Sequence, residues 1–325
     1  MADVASRPAA IKAVPVRHPG RWVSAVAVLA IGASVVGTVV SSVASDLTKE
    51  GHGWDTVAHF FLNPLIVRGV WLTLVYTVLA MVLGIVLGVV LAVMRLSPNW
   101  VVAWVSWVYI WFFRGTPVLV QIFFWFNLNI LISHIGVGIP FTSLWIQADT
   151  NSLITPFVAV LLGLGLNEGA YMAEIVRAGI ISVEHGQTEA ALALGMDRLL
   201  LMRRIVLPQA MRVIIPPTGN ETISMLKTSS LAYIATGNEL FTRTEQIATA
   251  TYAVIEMLIV ASIWYLIMTS ILTVGQYYIE RYFARGSHRQ LPMTPFQRFK
   301  RMLVTFHAPP PAPVEAPLSL GSEHR

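Results

Sequence analysis

Apolar residues fall along the chain in long blocks separated by short polar intervals. Such blocks cover residues 22–44, 67–94, 118–132, 153–175, 212–234 and most of 247–278. About 20 apolar residues suffice to cross a bilayer as a helix. The pattern therefore predicts an all-α integral membrane protein, with each block a transmembrane span. The polar intervals 45–65, 133–151 and 237–246 are expected on one side, as external loops. The first interval ends in the interfacial cluster His59-Phe60-Phe61. Residues 1–21 and 280–325 are expected as cytoplasmic tails, the second partly disordered and rich in proline near its end.

The first block admits two readings. A basic start and the small-x-small end Ser42-Val43-Ala44 suit a signal peptide, but the run exceeds the usual apolar core of about 7–15 residues, which favours a retained helix. Residues 100–113 carry Trp100, Trp104, Trp107, Tyr109, Trp111, Phe112 and Phe113. That density suits the headgroup layer, or aromatic packing in the core. Arg114-Gly115-Thr116-Pro117 then breaks the chain, because a residue before proline is driven away from helix and proline can open a new one. Gly84 and Gly88 are four apart, the spacing of a close helix–helix contact.

Composition agrees. The 325 residues are 55% hydrophobic and 12% charged, with no cysteine, whereas soluble domains carry about 25% charged residues. The net charge of +5 matters through its placement. Arg95, Arg177, Arg198, Arg203, Arg204 and the arginines of both tails fall on the side taken as cytoplasmic, and only Lys49, Arg68 and Arg243 opposite. Both termini are then cytoplasmic.

Ionisable residues inside spans are functional candidates. On the fifth block Asn220, Glu221, Ser224, Lys227 and Thr228 recur at helical steps and form one polar stripe, read as lining a substrate path or as helix–helix hydrogen bonding. Glu174 and Arg177 are three apart on one helix face and can pair. Residues 186–208 form a basic, helix-prone island. Thr188 is a candidate N-cap for a short helix, Glu189 suits its first turn, Gly195 is a natural stop, and Asp197 can cap a second helix through Arg203 and Arg204 towards Leu207-Pro208.

The pattern Glu-Ala-Ala, three residues, Gly, nine residues, Ile, one residue, Leu-Pro is met by Glu189, Ala190, Ala191, Gly195, Ile205, Leu207 and Pro208. It resembles the coupling loop of ABC importer permeases. Arg114-Gly115-Thr116-Pro117, Asn167-Glu168-Gly169-Ala170-Tyr171-Met172-Ala173-Glu174 and Leu207-Pro208-Gln209-Ala210 resemble the polar amino-acid branch, of histidine, glutamine and arginine type. Two stretches depart from that branch: Ser229 stands where Thr is usual, and Ala235-Thr236-Gly237-Asn238 is atypical. The carried compound is thus left as a polar amino acid or a related small compound.

The resemblance implies a five-helix permease core over residues 66–279, preceded by one extra helix over 22–44. It implies no catalytic residue, no metal site and no cofactor in this chain. ATP and Mg would bind a partner ATPase; no Gly-x-x-x-x-Gly-Lys phosphate loop precedes Lys12, Lys49, Lys227 or Lys300. It implies as partners ABC ATPase subunits, an extracytoplasmic substrate-binding protein, and a second permease copy or paralogue in the bacterial inner membrane. Gly186, Glu189, Ala190, Ala191, Gly195, Arg203, Ile205, Leu207 and Pro208 would couple to the ATPase, with Ala190 and Ala191 in its cleft. Arg114, Gly115, Thr116, Pro117, Glu168 and Glu174 would be structural. An autonomous secondary transporter with an ion or proton site is the alternative.

Overall fold

A computed structural model describes residues 19–46, 53–138 and 145–283. Outside these lie most of both tails, residues 47–52 of the first external loop and the tip of the loop after residue 138. The described residues form α1 (Pro19–Asp46), α2 (Trp54–Phe61), α3 (Pro64–Arg95), α4 (Trp100–Gly115), α5 (Val118–Phe126), the single turn α6 (Leu128–Leu131), β1 (His134–Gly138), β2 (Trp145–Asp149), the turn α7 (Thr150–Leu153) and α8 (Pro156–Ile181). Then follow α9 (His185–Ala193), α10 (Arg198–Leu201), a π-helical segment Met202–Val206, α11 (Leu207–Thr228), a 3-10 segment Ser229–Ala235, α12 (Leu240–Thr251) and α13 (Val254–Phe283).

By length and composition α3, α8 and α13 are each able to cross a membrane, and α4 with α5, bent by 98° at their junction, passes the same test only as a pair, as a broken span or a re-entrant loop. Local chemistry sets these helices. Asn63 and Asn99 accept from the backbone N–H of Leu65 and Val101 at the starts of α3 and α4. Thr155 caps α8, where Pro156 occupies the first turn.

The central contact is α3 against α8. It is tight because Gly84 and Gly88 face Glu168 and Met172: a Cβ at either glycine would overlap the opposing side chain. Around it, Tyr76, Met81, Ile122, Leu164, Met172 and Ile214 form one buried cluster. A second cluster, with Ile66, Leu226, Leu240, Met257 and Val260, joins α3, α11, α12 and α13. Helix α2 is pinned to it: Phe61 stacks on Trp264 at 5.0 Å, and Trp264 Nε1 donates to the Phe61 carbonyl at 2.9 Å. All described side chains of α1 are exposed.

Several intervals hold more regular structure, or other bounds, than the pattern alone implies. The interval 133–151 carries an antiparallel β1–β2 pair in which His134 faces Asp149. The residues 100–113 are helix α4, the first half of the bent pair, and the second half ends at Phe126 rather than 132. The interval 237–246 is mostly helix α12, because Glu239 caps it: its carboxylate accepts from the N–H groups of Phe241 and Thr242 at 2.6 and 2.7 Å. The block 247–278 is split at Tyr252, which has φ 59°, so α13 starts only at Val254.

Candidate functional site

The break between α4 and α5 builds the site. Pro117 cannot donate to the preceding turn, so carbonyls at the end of α4 lose their helical partners. Two side chains replace them. Gln121 Nε2 donates to the Phe113 carbonyl at 3.0 Å and to Thr116 Oγ1 at 2.7 Å, and Asn167 Nδ2 donates to the Phe113 carbonyl at 2.7 Å. Non-helical backbone at membrane depth survives where protein groups satisfy it or where it borders a cavity. Here both conditions hold.

The break, α8 and α11 surround a cavity of about 640 Å³. Arg114, Gly115, Thr116, Pro117 and Val118 line it from the break, Asn167, Glu168 and Tyr171 from α8, and Glu221, Ser224, Met225 and Thr228 from α11. The Arg114 guanidinium lies 5.1 Å above the Tyr171 ring. Glu168 is only 4% exposed, and its Oε1 has no hydrogen-bond partner. The cavity thus gathers two carboxylates, one guanidinium and the hydroxyls of Ser224 and Thr228.

The sequence-derived stripe is divided by this geometry. Glu221, Ser224 and Thr228 line the cavity, whereas Asn220 and Lys227 do not. Asn220 Oδ1 accepts from Gln276 Nε2 on α13 at 2.8 Å, so it serves helix packing. Lys227 is exposed beside the cavity. Arg114, Gly115, Thr116, Pro117 and Glu168, taken as structural, are cavity residues. Glu174 does pair with Arg177, at 2.7 Å.

Sequence reasoning missed Gln121 and Asn167 as the groups that satisfy the break. A carboxamide four residues past Pro117 was the available signal. It also missed Tyr171 as the platform for Arg114, and Glu239, fully buried and held further by the Thr242 and Tyr265 hydroxyls.

The 186–208 stretch is partly as expected. α9 starts at His185 with Glu184 at its cap, so Thr188 lies inside the helix. Its end is a Schellman turn: Met196 N–H donates to the Ala191 carbonyl at 3.1 Å, Gly195 N–H to that of Leu192 at 2.9 Å, and Gly195 has φ +79°. Asp197 caps α10 through the Leu200 N–H at 2.8 Å. The second helix does not stop at Leu207-Pro208. Pro208 has no N–H, and the wider π turn lets the Leu207 N–H reach the Met202 carbonyl as α10 runs on into α11. Pro216 and Pro217 consequently lie inside α11.

Ala191 is a correction. It is 5% exposed, packed with Leu201 and Val206 and flanked by Met196 and Ile205 of its own chain. It therefore holds α9 against α10 and is not available to a partner's cleft. Gly186, Glu189, Ala190, Leu192, Leu194, Arg203, Leu207 and Pro208 are exposed there.

Residues 84–285 match the family described as binding-protein-dependent transport system inner membrane component. Over 288 residues the chain is 48% identical to the arginine transport system permease protein ArgU of Corynebacterium glutamicum, spanning 88% of this chain and 87% of that protein. It is 37% identical over 214 residues to the nopaline transport system permease protein NocM of Agrobacterium fabrum, covering 65% of this chain and 84% of that one. Among solved structures, an amino acid ABC transporter superposes with a TM-score of 0.58 at 34% identity, covering 67% of this chain and 94% of that chain. The inward-facing MetNI methionine ABC transporter, at 19% identity and a TM-score of 0.54 over 68% of this chain and 97% of that one, shares the fold. The chain therefore belongs to the binding-protein-dependent transport system inner membrane component family, and it is the permease subunit of an ABC amino-acid importer, a transport subunit whose ATPase is a separate chain.

Proposed function

We propose that this permease carries a cationic amino acid, and that the cavity at the α4–α5 break is its station in the membrane. The observation that carries this reading is Glu168, a buried carboxylate on the cavity wall with one unpartnered oxygen. A buried polar atom without a partner is costly. A guanidinium or ammonium group in the cavity supplies the missing donors and an opposite charge. Glu221 adds a second acceptor on the facing helix. Similarity to an arginine permease supports the same substrate class. Sites at broken helices recur in transporters of unrelated fold.

The assembly follows the family reading. Two copies, or this chain and a paralogue, enclose the path. The five-helix core spans 66–279, the helix of 22–44 is an addition, and both termini lie in the cytoplasm of a bacterium. An extracytoplasmic binding protein delivers the amino acid. ATP and Mg bind the ATPase subunits, which engage residues 186–208 from below. Glu189, Ala190 and the exposed Leu194 and Leu199, 83% and 79% accessible, offer the docking surface.

The test uses the absence of native cysteine. Single cysteines at Ser224 and Thr228 are expected to react with aqueous thiol reagents and to be protected by L-arginine. Cysteines at Ile223 and Leu226 are expected to resist. Labelling of the second pair with sparing of the first would refute the cavity as the path.

A further inference from the structure

We infer that Lys227 binds the α-carboxylate of the transported amino acid at the outer rim of the cavity. This rests on the cationic-substrate reading above and extends it to the other end of the substrate.

Lys227 stands in the last turn of α11. Ser224, three residues before it, and Thr228, the next residue, both line the cavity. On the helix it sits about 60° round from Ser224, outside the arc that lines the cavity, and its flexible four-carbon stem can reach back to the rim. The side chain is exposed, and among the described residues it has no ion-pair partner. An unpaired ammonium at membrane depth has to meet water or an anion, not lipid.

The charges around the cavity define what is missing. Two carboxylates, Glu168 and Glu221, and one guanidinium, that of Arg114, line the cavity, so its wall carries one acidic group more than it carries cations. Glu168, with its unpartnered Oε1, and Lys227, exposed beside the cavity, are of opposite sign. A cationic amino acid has a matching pair of ends. Its guanidinium or ammonium group fits Glu168, deep on α8. Its carboxylate then falls towards α11, where Lys227 is the uncommitted cation. Asn220, the neighbouring polar residue of the stripe, is already bound to Gln276 and does not compete.

The experiment is competition binding to the purified permease–ATPase complex in nanodiscs, with L-arginine and its carboxylate-free analogue agmatine. Lys227→Met is expected to weaken L-arginine by roughly 10- to 100-fold, the loss typical of a charge-assisted hydrogen bond, and agmatine by less than about twofold. Lys227→Arg keeps the charge and should restore L-arginine to within about fivefold of the parent. Lys227→Gln gives the same readout if the methionine variant does not assemble. Unchanged L-arginine affinity, or equal losses for both ligands, would overturn the assignment. Glu168→Gln separates this from the underlying reading, because it should weaken both ligands alike. If it weakens neither, the cavity reading falls whatever Lys227 does.

Discussion

Replacing Gly195 isolates a pure backbone effect on coupling. Its φ of +79° lies in the left-handed region, and a Cβ built there meets no atom within 4 Å. Substitution therefore perturbs conformation without a clash. An L-residue in that region costs about 1–2 kcal/mol, Asn less, and a β-branched residue more. The α9 helix that depends on this turn has only nine residues, too few to persist without its contacts. A loss of 1–2 kcal/mol lowers the population with the correct turn by roughly 5- to 30-fold relative to its competitors. The assay is ATP hydrolysis by the reconstituted complex, stimulated by binding protein and L-arginine, together with retention of the ATPase on the tagged permease. The order Gly, Asn, Ala, Val, from most to least coupled, is expected. Equal coupling in Gly195→Ala and Gly195→Val, or Gly195→Asn as poor as Gly195→Val, would refute the turn as the reason for glycine.

Three further outcomes follow from packing and capping. Ala191→Trp should overpack the α9–α10 contact by about 1–3 kcal/mol and expose residues 184–206 to protease in vesicles lacking the ATPase, while Ala190→Trp should leave protease resistance unchanged and reduce ATPase binding. Gly84→Leu drives a side chain into Glu168 across the α3–α8 contact, and the melting temperature of the detergent-solubilised protein should fall. Glu239→Gln leaves one acceptor oxygen for four donors and should destabilise by about 1–3 kcal/mol in thermal unfolding, against about 0.5–1.5 kcal/mol for Tyr265→Phe, which removes one of the four.

Legibility in the sequence followed the range of the interactions. The Schellman turn at Gly195, the Asp197 cap, the break at Thr116-Pro117 and the Glu174–Arg177 pair each depend on residues within a few positions, and all are present. Long apolar blocks made the spans of α3, α8 and α13 plain. What escaped was set across the fold. Ala191 looks like a surface alanine until Leu201 and Val206 close over it. Asn220 and Glu221 are neighbours about 100° apart on one polar stripe, and only the position of α13 assigns the first to Gln276 and leaves the second in the cavity. Pro208 hides the continuity of α10 with α11, because a proline read locally suggests an end, and the π turn that absorbs it is not visible in residue types. The β1–β2 pair has no strong alternation, with Gly136 and Gly138 in its first strand.

The central claim is ATP-driven passage of a cationic amino acid past Glu168. Uptake of radiolabelled L-arginine into proteoliposomes, with permease, ATPase and binding protein reconstituted together, tests it most directly. The account predicts accumulation that requires ATP and both partner proteins, and that drops about tenfold or more in Glu168→Gln while the ATPase still co-purifies. Accumulation driven by an ion gradient without the ATPase, or undiminished uptake by Glu168→Gln, would contradict it.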